Sequence, residues 1–367
     1  MIPWTISAQG ERMLPQLTDD LAGIGGRIKV QPEDFEVEEI PAYEPSGQGE
    51  FFYLWIEKRA LGALYFQREL ARRLGVAPSD IGTAGMKDRQ AVTRQLVSVP
   101  ARIGEQRLAA VDGDGIRLLR VSKHNNKLKT GHLRGNRFRI LVRDGVAETA
   151  ERLGPLLDHL RRVGLPNYYG EQRFGREGQN TAIGLALLRQ ESLPGTAKDR
   201  NYWRHPERRR LALSAVQSAL FNTYLARRLT DGLLRRVLAG DVMSKWPFGG
   251  LFVVADVPRE QERLDRRETV ATGPMFGRKM FAAQAEAAQR EAEVLAAAGL
   301  TLEHFHGFGK LLPGTRRHNL VYLDDLAATV EPEGIRLTFS LPAGSYATVL
   351  LAELMKTTIE EESVTTD

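Results

Sequence analysis

Residues 164–175 read GLPNYYGEQRFG, and the sequence changes character there. Before this stretch lie short β-prone runs: Arg27 to Val30, Phe35 to Ile40, FFYLWI (51–56), QLVSV (95–99) and FRILV (138–142). Strand-type residues in such runs, bounded by turn residues, predict a sheet. Two amphipathic stretches interrupt it. One spans Ala63 to Leu74 with Gly75 as its stop, and the other spans Glu148 to Val163 and ends at Gly164. From Leu165 to about Asn319 the pattern is mainly helical, over Asn180–Arg189, Leu211–Leu229 and Met280–Ala298, with Gly-, Pro- and Arg-rich loops between. β-like sequence returns as LVYL, ATVEP and GIRLTFSL, and a helix over Ala347–Met355 follows. Strand-rich, helix-rich, strand-rich is the order expected of an α+β sheet domain, residues 1–164 and 320–367, interrupted by a second domain, 165–319.

Composition narrows the chemistry. The 367 residues are 42% hydrophobic and 26% charged, as in an ordinary globular protein large enough for a sizeable core. No cysteine occurs, which removes disulfides, thiolate nucleophiles and Cys-based zinc sites. No apolar run is long enough for a membrane span, and MIPWTISAQGER lacks a signal-peptide core, so a cytoplasmic location is expected. The net charge of +5 says less than its distribution. Residues 120–139, RVSKHNNKLKTGHLRGNRFR, hold seven Lys/Arg, two His and no acid. KDRNYWRHPERRR (198–210) mixes arginines with Tyr202 and Trp203, while acids gather in PEDFEVEE and in the tail IEEESVTTD. Basic runs interleaved with aromatics suit a phosphate backbone and unstacked bases, although each run alone also fits a solvated loop.

Several sites fail on their spacing. GIGGRIKV is followed by a strand rather than by the helix that would hold a pyrophosphate. GTAGMKD has Asp where a phosphate loop needs Ser or Thr, and PAGSYA lacks the second glycine of a nucleophile elbow. EHFHGFGK brings Glu303, His304 and His306 close, but on a glycine-flanked loop they read as surface residues rather than metal ligands. GTAGMKDRQAVTRQ (82–95) leaves two readings of Asp88. It could cap a turn beginning at Arg89. It could also be a nucleophile that forms a glycosyl ester, with Gly82 and Gly85 allowing close ligand approach and Lys87 favouring the ionised carboxylate.

Five ordered segments bear on that choice: KVQPEDFEVEE (29–39), GMKDRQAVTRQ (85–95), NNKLKTGHLRGNRF (125–138), GLPNYYGEQRFG (164–175) and LPAGSYATVLLAEL (341–354). Together they resemble the signatures of the TruD family of tRNA pseudouridine synthases, the second matching its G-x-K-D-x-x-A-x-T-x-Q motif. The resemblance implies a pseudouridine-synthase-type mixed or antiparallel sheet domain with a mainly helical α/β insertion. It implies isomerisation of uridine to pseudouridine, typically uridine 13 of tRNA(Glu), without metal or organic cofactor. Asp88 falls on the family's catalytic aspartate; Phe35 and Asn136 fall on residues that contact the target nucleotide, and Tyr346 on a Phe or Tyr against the uracil. Phe138 fits an aromatic beside the nucleophile and equally fits core packing. Lys29 and Lys87 are the expected partners of Asp88, and Arg173 is expected to grip tRNA phosphate. The partner implied is tRNA, and a monomer is the default. A non-catalytic RNA-binding protein on the same scaffold would explain the basic runs but not GMKDRQA; a glycosidase of free nucleosides would explain GMKDRQA but not the basic runs.

Overall fold

The computed structural model describes residues 14–357, so MIPWTISAQGER and the acidic tail lie outside the described residues. Its first part supplies β1 (Gly25–Arg27), β2 (Phe35–Pro41), β3 (Phe51–Arg59), helix α1 (Ala63–Leu74), β4 (Gly82–Thr83), β5 (Val92–Pro100), β6 (Ile116–His124), β7 (Leu133–Gly145) and helix α2 (Thr149–Val163). Gly75 stops α1 in a left-handed conformation, φ 65°, donating its N–H to Ala71 and Arg72 carbonyls. The strand expected over Arg27 to Val30 is shorter and earlier. Lys29 has φ 57°, a left-handed backbone that cannot continue a strand.

Residues 165–319 contain β8 (Leu165–Pro166), α3 (Gln179–Leu188), α4 (Ala197–Tyr202), α5 (Pro206–Thr230), β9 (Val242–Lys245), β10 (Leu251–Val253), α6 (Val257–Asp265), β11 (Thr269–Met275), α7 (Ala285–Ala297) and β12 (Thr315–His318). The chain closes with β13 (Leu320–Val321), β14 (Ala327–Glu331), β15 (Gly334–Pro342) and α8 (Ala347–Met355).

The large sheet runs β14-β15-β7-β2-β5-β3-β6, with β1 added to β7 and β4 to β5. Its β2–β5 pairing is parallel and its other pairings are antiparallel. Alternation puts Phe35 and Val37, Phe138 and Ile140, and Leu337 and Phe339 on one face, where they pack with Leu156 and Leu160 of α2 and Leu350 and Leu354 of α8. On the same face, Phe52, Leu54 and Ile56 pack with Phe66 and Leu70 of α1. Each such fully buried side chain is stabilised by roughly 1.5–3 kcal/mol relative to exposure. The opposite face carries Glu36, Glu38, Arg94, Arg137 and Arg139, joined in ion pairs of 3.4–3.8 Å.

A second sheet, β10-β9-β11-β12, lies within residues 165–319, where sequence periodicity indicated mainly helices. Its strand β11, TVATGPM, is buried along its whole length, so it has no polar alternation to read, and its Gly and Pro imitate a loop. The two ends of this segment lie side by side: β8 pairs antiparallel with β13, Leu165 opposite Val321. No helix among the described residues is long and apolar enough to cross a membrane.

Candidate active site

Register explains the site floor. Glu39 on β2 stands opposite Asn136 on β7, and Asn136 stands opposite Leu341 on β15. Lys87 rises from the loop between β4 and β5, with Nζ 3.1 Å from Glu39 Oε2 and donating to Asn136 Oδ1 at 2.6 Å. The Lys87 and Glu39 side chains are 5% and 1% exposed, so this ion pair is buried. Burial pushes the Glu39 carboxyl above its usual range, and the Lys87 ammonium opposes that shift. Since lysine only donates, Asn136 must turn its oxygen to Lys87, leaving its amide NH2 to face elsewhere. The expectation that Lys87 pairs with Asp88 is therefore corrected. Its charge is consumed beneath the loop.

The Asp88 carboxylate meets Lys29 instead, with Nζ to Oδ2 at 3.8 Å. Asp88's side chain is 42% exposed and that of Lys29 16%. Lys29 also lies over the Phe35 ring, 4.5 Å from its centroid. Phe35 stands edge-on to Phe138, which stacks on Phe339 at 5.1 Å. Phe35 and Phe138 are 1% and 7% exposed: both lie in the hydrophobic core and underlie the site as a floor.

Sequence reasoning missed what holds the loop from below. Lys58, fully buried on β3, donates to the Asp88 carbonyl at 2.9 Å and to the Leu61 carbonyl at 2.5 Å. Desolvation pushes its ammonium down to about 8, the Asp88 charge opposing and the Lys87 charge assisting. Beside Glu39, Thr93 and Gln95 of β5 are buried with side-chain oxygens that make no hydrogen bond. Such atoms are costly unless something satisfies them. Thr93 and Gln95 were visible as the Thr and Gln of the GMKDRQAVTRQ segment, and Glu39 as the last residue of KVQPEDFEVEE; Lys58 sat in a strand with no local sign of function.

A second cluster stands where residues 165–319 meet the large sheet. Tyr346, N-cap of α8, is edge-on to Tyr169 at 5.8 Å. Arg173 lies 5.7 Å from the Tyr169 ring and donates to Ser218 Oγ at 3.3 Å. Arg317, unmarked in the sequence, lies 4.0 Å over the same ring and donates to Asn167 and to the Gly344 carbonyl. Asn167 in turn accepts from Ser345. The GLPNYYGEQRFG stretch thus joins the segment carrying Tyr346 to β12.

The basic runs are less free than their sequences imply. Arg137 and Arg139 pair with Glu38 and Glu36 across the strands, and Lys123 pairs with Glu105. Trp203 is 5% exposed and packs with Ile183 and Ala212, while Arg208 lies 3.3 Å over Tyr202. His304 Nδ1 accepts the Thr301 N–H, closing a short helical turn. Among the described residues no group of three His, Cys, Asp or Glu side chains is arranged to hold a metal.

The family model for tRNA pseudouridine synthase D (TruD) matches residues 14–194 and 205–354. A tRNA pseudouridine synthase D of Anaeromyxobacter sp. (strain Fw109-5) is 45% identical over 345 residues, covering 93% of this chain and 96% of the relative. One from Thermus thermophilus is 44% identical over 345 residues, covering 93% and 92%. The crystal structure of a Methanosarcina mazei protein assigned as tRNA pseudouridine synthase D superposes with a TM-score of 0.75 at 25% identity, covering 94% of this chain and 96% of that one. The large sheet with its packed helices is the α+β fold of the pseudouridine-synthase type. The chain belongs to the tRNA pseudouridine synthase D (TruD) family.

Proposed function

We propose that this chain isomerises uridine to pseudouridine in tRNA, at uridine 13 of tRNA(Glu), with Asp88 as the nucleophile. The observation that carries the reading is the Asp88 carboxylate, 42% exposed, beside the ammonium of Lys29. A lysine at that distance can orient the carboxylate without using up its lone pairs. The C1′–N1 bond of a flipped uridine breaks with its electron pair passing to N1. Either the Asp88 oxygen bonds to C1′, or Asp88 takes the C2′ proton and a glycal forms. The uracil turns, and C5 bonds to C1′ as the Asp88–C1′ bond breaks or, on the glycal path, as Asp88 returns the proton to C2′. C5 then loses its proton and N1 gains one, so the reaction is a net isomerisation without metal or cofactor. The free NH2 of Asn136 suits a uracil carbonyl, and the Tyr346 ring suits its face. Arg173 serves the phosphate backbone across the junction. Residues 165–319 act as an inserted domain that grips the tRNA, and the enzyme works as a cytoplasmic monomer.

The test is incubation with uridine-labelled tRNA, using wild type and Asp88→Asn, followed by nucleoside analysis. Pseudouridine from wild type alone is expected, and its loss when position 13 is changed assigns the target. No pseudouridine from wild type on folded tRNA would leave a non-catalytic RNA-binding protein as the better reading.

A further inference from the structure

At the far end of β5 from Asp88 lies a half-open cavity of about 590 Å³, walled by Tyr43, Phe51, His124 and His132, with Lys127 and Lys129. No acid lines it. A volume in this range accommodates a small organic ligand, more than a bare anion needs. Tyr43 stacks on His124, with centroids 5.1 Å apart and 25° between planes. Lys129 carries no side-chain hydrogen bond or ion pair among the described residues.

The two imidazoles are set in opposite tautomers. Tyr53 Oη donates to the Asn126 carbonyl at 2.9 Å, so in the 3.2 Å contact between hydroxyls Tyr43 must donate to Tyr53. Having spent its proton there, Tyr43 accepts from His132 Nδ1 at 2.8 Å. Neutral His132 is thus left with Nε2 as an acceptor. His124 Nδ1 accepts the backbone N–H of Ser46 at 3.2 Å, so neutral His124 carries its proton on Nε2. One ring offers a donor and the other an acceptor, the complement of a nucleobase edge. The lysines supply what a phosphate needs.

The cavity is tied to the Asp88 loop. Gly131 donates its N–H to the Ala84 carbonyl at 2.8 Å, and Leu128 N–H bonds Ser98 Oγ at 2.9 Å. Six residue-to-residue steps along β5, from Val92 to Ser98, give about 20 Å of separation, a span that a few nucleotides of one strand cover.

We propose that this cavity binds a second, unpaired nucleotide of the same RNA, with its base against Tyr43 and His124 and its phosphate on Lys127 and Lys129. This subsite rests on the reading of the chain as a tRNA-modifying enzyme. Lys127 also donates to the Ser79 carbonyl, which leaves Lys129→Ala as the cleaner charge deletion. Equilibrium binding of labelled, unfractionated tRNA would be measured over a salt series for wild type, Lys129→Ala and His124→Ala, with thermal melts as the folding control. Lys129→Ala is expected to lower the slope of log K against log salt by about one. His124→Ala is expected to weaken binding about fivefold or more, through lost stacking. In turnover the loss should fall on KM rather than kcat. Unchanged affinity and salt slope in Lys129→Ala would overturn the subsite, even were His124→Ala to unfold. Wild type that modifies tRNA while both variants bind it normally removes only the subsite. Wild type that binds tRNA but forms no pseudouridine, with both variants weakened, removes only the catalytic reading.

Discussion

Two charge pairs in this molecule have opposite designs. Within residues 165–319, Arg228 and Asp241 are each 1% exposed, and every guanidinium donor is used. They go to Asp241 Oδ1 and Oδ2 at 2.6 and 3.0 Å, to Tyr224 Oη, and to the Leu233 and Arg236 carbonyls. Leu238 N–H adds a further bond to Asp241. At the sheet, Lys29 and Asp88 share one 3.8 Å contact, and Asp88 is open to solvent. A fully satisfied buried pair fixes a fold, and its loss is felt as instability. A loose, half-open pair contributes little to stability and leaves the carboxylate free to react.

The comparison breaks most decisively at Asp88. Asp88→Asn is expected to lower pseudouridine formation by about 10⁴-fold or more, with an unchanged melting curve. A variant that melts early would mean that Asp88 is a structural cap after all. Arg228→Met should behave in reverse. It strands Asp241 in the interior and costs about 3–5 kcal/mol in denaturant unfolding, while activity per folded molecule stays near that of wild type.

Lys58 belongs to both designs, buried like Arg228 yet bonded to the backbone of Asp88. Its ammonium gives up its proton near pH 8 in the folded protein but near 10.5 in the unfolded chain. Between those values the unfolded state binds more protons, so stability rises with pH there. Wild type should gain up to about 3 kcal/mol from pH 8 to pH 10.5, and Lys58→Met should lack that gain. Parallel pH profiles would show that Lys58 does not carry the burden assigned to it.

What the sequence could show follows the same division. Local patterns placed α1 and α2 because each has one apolar face and a glycine at its end, Gly75 and Gly164, and placed β3 because FFYLWI is a continuous β-prone run. They left β9 to β12 unseen: β9 and β11 are buried on both sides and lack alternation, and β10 and β12 are only 3 and 4 residues long. Asp88 was open between cap and nucleophile until four other segments in order supported one reading. The buried supports escaped for another reason: Glu39 meets Lys87 and Lys58 meets Asp88 only through sheet register and loop return. The basic run 120–139 overstated the free charge at Arg137 and Arg139. Its neutralising acids, Glu36 and Glu38, lie about a hundred positions earlier in sequence, on the adjoining strand.

Lys29 offers the two finest tests. Lys29→Met should reduce kcat by about 100-fold while tRNA affinity changes little, because it removes the group that orients Asp88. An unchanged kcat would detach Lys29 from the chemistry. Its backbone gives the smallest effect and the sharpest contrast with Arg228. Lys29 holds φ 57°, which disfavours any residue with a Cβ. Lys29→Gly and Lys29→Ala lose the same ammonium and the same contact with Phe35, so they differ chiefly at the backbone. The glycine variant should be the more stable by about 1 kcal/mol, although glycine ordinarily weakens a chain relative to alanine. Both should show the same loss of turnover. Stability would then rise from Ala to Gly with no return of activity, whereas Arg228→Met loses stability and keeps activity. Equal melting temperatures for the two variants would mean that the left-handed turn is relaxed elsewhere and that Lys29 is held in place by its side-chain contacts alone.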